Sequence, residues 1–212
     1  MNRLVTPVIV AAMLLGSASN SNAIVILTAN ITHGQEPPPA GTTPLTTSTG
    51  DPRPLSFGTA TFVLNDAMTE LTMSATIFNI DVTGTQTPDT FDNLVAAHIH
   101  VGAGLGVNAP VRWGFFGIPD NDTNPDNLVV TPFAAGVGGS FFSIWNAPEG
   151  NAGTTLATNL PAILAGLSYI NFHTVQFPGG EIRGQIFPEP ATLSLFALGG
   201  LFAAYSLRRR RN

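Results

Sequence analysis

The 212 residues include no cysteine and no lysine, and only 10% of them are charged. The missing cysteine excludes a disulfide scaffold, a thiolate-ligated zinc site and a thiol nucleophile. The scarcity of charge excludes a disordered chain, which is polar and charge-rich. No long 3.6-residue periodicity runs through the chain, so a helical architecture is not expected. Nor is there a nucleophile elbow, a P-loop, a Rossmann glycine set or a zinc-protease motif. Positive charge is lacking in the body of the chain. All eight basic residues are Arg, and between Ile24 and Phe187 only Arg53, Arg112 and Arg183 stand against twelve acids, a net charge of −9. Such a body repels phosphate backbones, so nucleic acid is not an expected partner.

Both ends carry apolar address segments. At the N-terminus Arg3 precedes the apolar run Leu4–Gly16, and small polar residues end in Ser21-Asn22-Ala23. A basic start, an apolar stretch of this length and a small-x-Ala site make a signal peptide over 1–23, cleaved after Ala23. Pro7 and the Ser/Asn-rich exit argue against a buried helix. At the other end Pro188-Glu189-Pro190 precedes Ala191–Leu207, 17 uncharged residues, and then Arg208, Arg209, Arg210 and Arg211. Residues 191–207 are expected to form a short transmembrane helix. The arginines then stay cytoplasmic and the body faces outward.

This tail (Pro-Glu-Pro, a short apolar span and a terminal Arg cluster) resembles the PEP-CTERM sorting signal of Gram-negative bacteria. The resemblance implies recognition by an exosortase and cleavage near Pro188–Pro190. It also implies delivery to the envelope or extracellular matrix, in company with exopolysaccharide. A plain C-terminal membrane anchor is the alternative reading of the same span.

Residues 24–187 read as mostly β. Ile24–Thr32 is apolar and β-branched, and 33–54 is a Pro/Thr-rich loop. Phe57–Leu64 is a strand ended by Asn65-Asp66. Leu71, Met73, Ala75 and Ile77 alternate with polar residues, the clearest period-2 signal in the chain. Leu94–Val101, Val111–Phe116 and Gly139–Trp145 are further strands. Leu160–Ala165 is expected to be a short helix with Pro161 in its first turn. Leu167–Phe177 and Glu181–Phe187 flank the hairpin signal Pro178-Gly179-Gly180. Seven or eight short strands with Gly/Pro turns predict an antiparallel sandwich or barrel.

In these strands Ala97-His98-Ile99-His100-Val101-Gly102, the block Leu164–Thr174 and the run Phe177–Ile186 resemble the CHRD domain. This module was first recognised in chordin and is common in microbial secreted proteins. The resemblance implies an all-β, immunoglobulin-like antiparallel β-sandwich with distant similarity to copper/zinc superoxide dismutases. It implies no established activity. Function must therefore be argued from the residues of the site.

His98 and His100 are two apart on a strand, so both point to one face, with Cα atoms about 7 Å apart. Strict alternation puts Leu94 and Ala96 on that face and Val95, Ala97, Ile99 and Val101 on the other. His173, on a distant strand, is a third candidate ligand, and a three-imidazole set suits Cu or Zn. The alternative is that the three rings are hydrogen-bonded members of a packed face. Hairpin parity bears on this choice. An even loop puts His173 with Ile182 and Ile186, whereas an odd loop puts it with Glu181 and Arg183. The run Asp120-x-Asp122-x-Asn124-x-Asp126 has calcium-loop spacing, but Pro125 and Thr131 stand where an EF-hand needs Gly and Glu. A solvated turn is the other reading. Glu181 and Arg183 share a face, and Arg183 is expected to pair locally with Glu181 or another acid. Trp113, Phe115, Phe116, Phe141, Phe142 and Trp145 form either core or a sugar-stacking platform. Two functions follow. One is a non-enzymatic exported module that binds exopolysaccharide or matrix proteins. The other is a Cu/Zn superoxide-dismutase-like oxidoreductase using His98, His100 and His173.

Overall fold

A computed structural model describes residues 24–189. The expected signal peptide with its cleavage site at Ala23, the helix over 191–207, Pro190 and Arg208–Arg211 lie outside the described residues. Within them the fold is almost all β. Nine strands form one antiparallel sheet: β1 (Val25–Thr32), β2 (Phe57–Leu64), β3 (Glu70–Phe78), β4 (Leu94–Val101), β5 (Val111–Phe116), β6 (Val129–Pro132), β7 (Gly138–Asn146), β8 (Ser168–Thr174) and β9 (Ile182–Pro188). The order across the sheet is β5-β4-β8-β9-β1-β2-β3-β7-β6. The first and last strands of the body, β1 and β9, are therefore neighbours, with Leu27 opposite Pro188 and Thr32 opposite Arg183.

The sheet curls so that its two ends face each other across a single core. Trp113 of β5 stacks on Trp145 of β7, ring centroids 5.6 Å apart and 2° from parallel. Phe141 of β7 meets both Phe115 of β5 and Phe172 of β8 edge-on. Each such aromatic removes about 150–250 Å² from water, which makes this contact the main apolar contribution to closure. Alternation supplies the rest. In β3, Leu71, Met73, Ala75 and Ile77 are all buried while Glu70, Ser74 and Phe78 are exposed. Trp113, Phe115, Phe141 and Trp145 are thus core residues. Of the six aromatics singled out in the sequence, only Phe142 is exposed.

Three expectations are corrected. The helix, α1, spans Leu156–Leu164 rather than 160–165. It starts early because Thr155 and Thr158 form a reciprocal capping box, which satisfies the first free amides. Pro161 consequently lies inside the helix. A ninth strand, β6, pairs Val129–Pro132 with Phe142–Gly139 in a stretch that carries no alternation signal. In β4 the register against β8 slips between Leu94 and Ala96. The bulge places Val95 in solvent and turns Leu94 into the core, so Leu94 is not on the histidine face.

Candidate functional site

The outer face of the sheet has two halves of different character. Over β4, β8 and β9 it is covered by loops and forms a buried polar layer. The register aligns His98, Asn171 and Arg183 in one row and His100, Tyr169 and Gln185 in the next. Phe172 pairs with Ile182, so the hairpin encloses an odd number of residues. His173 therefore lies on the Glu181–Arg183 face, the second of the two parities.

The three imidazoles converge. His98 Nδ1 lies 3.1 Å from His173 Nε2. One ring nitrogen from each of His98, His100 and His173 lies within 4.8 Å of the others. Among the described residues this is the one such group of three or more His, Asp or Glu. Three different loops hold the rings. His98 Nε2 donates to Ile118 O after β5 (3.0 Å), His100 Nδ1 to Ala109 O between β4 and β5 (2.8 Å), and His173 Nδ1 to Pro178 O in the last hairpin (2.9 Å). His100 also stacks on Tyr169, 4.6 Å away and 8° from parallel, while the Arg183 guanidinium lies 4.2 Å from the same ring. His100 Nε2 is buried and has no partner. Burial, with His173 next to it, pushes His98 down to about 4, and burial likewise pushes His100 down to about 4. His173 is lowered by burial and by Arg183. All three rings are therefore neutral at pH 7.

Two glycines make the space. A Cβ on Gly114, opposite His98 in β5, would stand 1.8 Å from Pro119 O and 3.1 Å from the His98 ring. A Cβ on Gly180 would meet the Asn171 amide at 2.6 Å and Glu36 Oε1 at 2.7 Å, and φ there is +125°. Glycine is required at both positions.

Beside the imidazoles, two buried ion pairs fasten the 33–54 loop to the last hairpin. Arg53 grips both carboxylate oxygens of Glu181, which also accepts from the Ser56 and Thr174 hydroxyls. Arg183 pairs with Glu36 at 2.6 Å. Glu181 and Arg183 therefore do not pair with each other. Their partners come from the Pro-rich loop, about 130–150 residues away in sequence. Burial raises Glu36, against the pull of Arg183. Glu36 and Arg53 carry no sequence signal for this role, because each is an isolated charge in a loop. A cavity of about 400 Å³ opens among Glu36, Pro37–Pro39, Asn108, Pro178 and Arg183, on the loops that anchor the imidazoles.

The Asp120–Asp126 run does not gather its oxygens on a point. Asp122 is buried and accepts from Ser143 Oγ and Asn127 N. Asp120 accepts from Asp122 N, and Asp126 from Leu128 N. Its carboxylates order a turn.

Over β1, β2, β3, β7 and β6 the outer face is open. One row reads Asn30–Thr59–Thr76–Ser140–Thr131, the next Thr28–Thr61–Ser74–Phe142–Val129. Neither row holds an ionisable group. At one margin Phe57 stacks on Phe78, 4.8 Å apart and 13° from parallel, and both rings are exposed.

Comparison with known proteins gives two matches. The model of the CHRD domain matches residues 27–186, and that of the PEP-CTERM protein-sorting motif matches 188–211. No curated protein and no solved structure matches the chain.

Proposed function

The chain belongs to the CHRD domain family and ends in a PEP-CTERM protein-sorting motif, and from that premise we propose that it is a non-enzymatic binding module of the extracellular matrix. Export to the cell envelope or outer surface and processing by exosortase follow from the motif. In our reading the span 191–207 holds the chain in the inner membrane until cleavage near Pro188–Pro190. The curled sheet is read as the immunoglobulin-like, superoxide-dismutase-like sandwich that the family implies, and the packing of β5 on β7 supports this.

The carrying observation is the open half of the sheet. Its two central rows offer ten side chains, mostly hydroxyl or amide and none ionisable, beside the mostly apolar row Ile26–Val63–Thr72–Ile144, on a body of net charge −9. Hydroxyls spaced about 4.8 Å apart across strands present both donors and acceptors. The Phe57–Phe78 stack supplies an exposed apolar surface next to them. An uncharged, hydroxyl-rich polymer matches such a surface, and a polyanion is repelled by the rest of the body. The ligand class is therefore neutral exopolysaccharide.

Co-sedimentation with the neutral exopolysaccharide of the producing cells tests this. Binding is expected to persist from about 0.05 to 0.5 M salt, because no ion pair contributes. Phe57→Ser together with Thr59→Glu is expected to weaken it about tenfold or more. Binding that vanishes with salt, or that both substitutions leave unchanged, would refute the reading. The intact mass of the surface form tests sorting separately: a mature chain retaining Arg208–Arg211 contradicts exosortase processing.

A further inference from the structure

The polysaccharide reading makes no use of the three imidazoles, whose hydrogen bonding is informative. Each ring turns one nitrogen to a backbone carbonyl: Ile118 O, Ala109 O or Pro178 O. A carbonyl only accepts, so each of those nitrogens carries a hydrogen. In a neutral ring the other nitrogen is then a bare lone pair. These are His98 Nδ1, His173 Nε2 and His100 Nε2. The first two face each other at 3.1 Å, and the third is buried without a donor. Two facing lone pairs repel, and a buried acceptor without a donor is costly. A shared proton relieves the first problem and leaves His100 unsatisfied. One cation among the three relieves both.

We infer that His98 Nδ1, His100 Nε2 and His173 Nε2 together bind one transition-metal ion, copper or zinc.

The donor chemistry agrees. Three imidazoles with no thiolate suit copper and zinc, and the general order of affinity puts Cu(II) above Zn(II). The carbonyl behind each ring is the outer-shell partner that fixes tautomer and orientation at metal centres. At bond lengths of about 2.0–2.1 Å, a 3.1 Å nitrogen pair subtends about 100° at the metal, near the tetrahedral angle. A tetrahedral pair spans about 3.3–3.4 Å at those bond lengths, so a pair at the 4.8 Å limit closes by about 1.4 Å on binding. The one cationic side chain in the layer close to the rings, Arg183, is matched by Glu36. His33 offers nothing to a metal, since both its ring nitrogens face carbonyl oxygens, Glu181 O and Thr43 O.

The test uses the full chain, stripped with a chelator and titrated with Cu(II) or Zn(II) against a chromophoric competitor. One equivalent is expected, with a rise of several degrees in melting temperature, since a ligand of the folded state stabilises it. His100→Phe keeps the stack on Tyr169 and removes the lone pair. It is expected to stay folded by circular dichroism and to lose more than about 100-fold in affinity, beyond the range of outer-shell substitutions. His98→Gln is the second variant, and it should likewise abolish the thermal shift. Two results overturn the inference. One is less than a tenth of an equivalent bound by natively folded wild type. The other is wild-type affinity in both variants, which would assign the ion to adventitious surface groups.

Discussion

Arg53→Met is expected to destabilise the body by about 3–5 kcal/mol, the cost of leaving one member of a buried ion pair behind. The Glu181 side chain is fully buried, and Arg53 donates to both of its oxygens. Without Arg53 the carboxylate keeps only the Ser56 and Thr174 hydroxyls, and Gln176 Oε1 loses its guanidinium donors as well. Burial decides the magnitude, because the same pair on the surface contributes only about 0.2–1 kcal/mol. For a domain of this length each kcal/mol shifts the midpoint by about 2–4 °C, so melting should fall by about 6–20 °C. Urea unfolding, followed by the fluorescence of the buried Trp113–Trp145 pair, should show a lower midpoint at unchanged slope. A second arm removes the stranded charge. Arg53→Met with Glu181→Gln should recover much of the loss, giving a coupling energy of more than about 2 kcal/mol. A loss below about 1 kcal/mol, or a double variant no more stable than the single one, refutes the argument.

Acid should weaken the metal-free protein through its imidazoles. His98 and His100 sit at about 4 in the fold and near 6.5 in the unfolded chain, so the unfolded state binds more protons between those values. Their contribution is complete above about pH 6.5 and is lost as pH falls toward 4, by up to about 2 kcal/mol per ring at pH 5. Urea midpoints at pH 7 and pH 5 measure it, and equal midpoints would contradict the burial of the rings. Gly180→Ala should cost about 1–3 kcal/mol, since the residue is at φ +125° and its Cβ would collide with Asn171 and Glu36. Gly179→Ala, with open space around it, is the matched control for thermal melting.

Much of the sheet was legible because strand residues obey a local rule. Leu71 to Ile77 alternates in the sequence and alternates in burial. The convergence of His98 and His100 followed from the same rule, and His173 joined them through hairpin parity, which the sequence left open between two values. The rest depended on information that is not local. The bulge that removed Leu94 from the histidine face is a register slip against β8, visible only once β8 is paired. The partners of Glu181 and Arg183 sit in the 33–54 loop, where neither Glu36 nor Arg53 has a periodic neighbour to mark it. The early start of α1 did have a signal: Thr155 stands three residues before Thr158, a variant of the usual capping box with Thr in place of Glu. Nothing in the sequence shows why Ile118, Ala109 and Pro178 should present their carbonyls to the three rings, because the role belongs to the backbone.

The adjacency of β1 and β9 also constrains processing. Pro188 still pairs with Leu27, and the Glu189 amide donates to Ile26 O. The folded body therefore runs without a spacer into the residues where an exosortase is expected to cut. An enzyme that cuts there would have to peel the end of β9 away from β1 before it could seat the peptide. Substitutions that tighten this pairing should slow maturation while leaving the folded protein more stable.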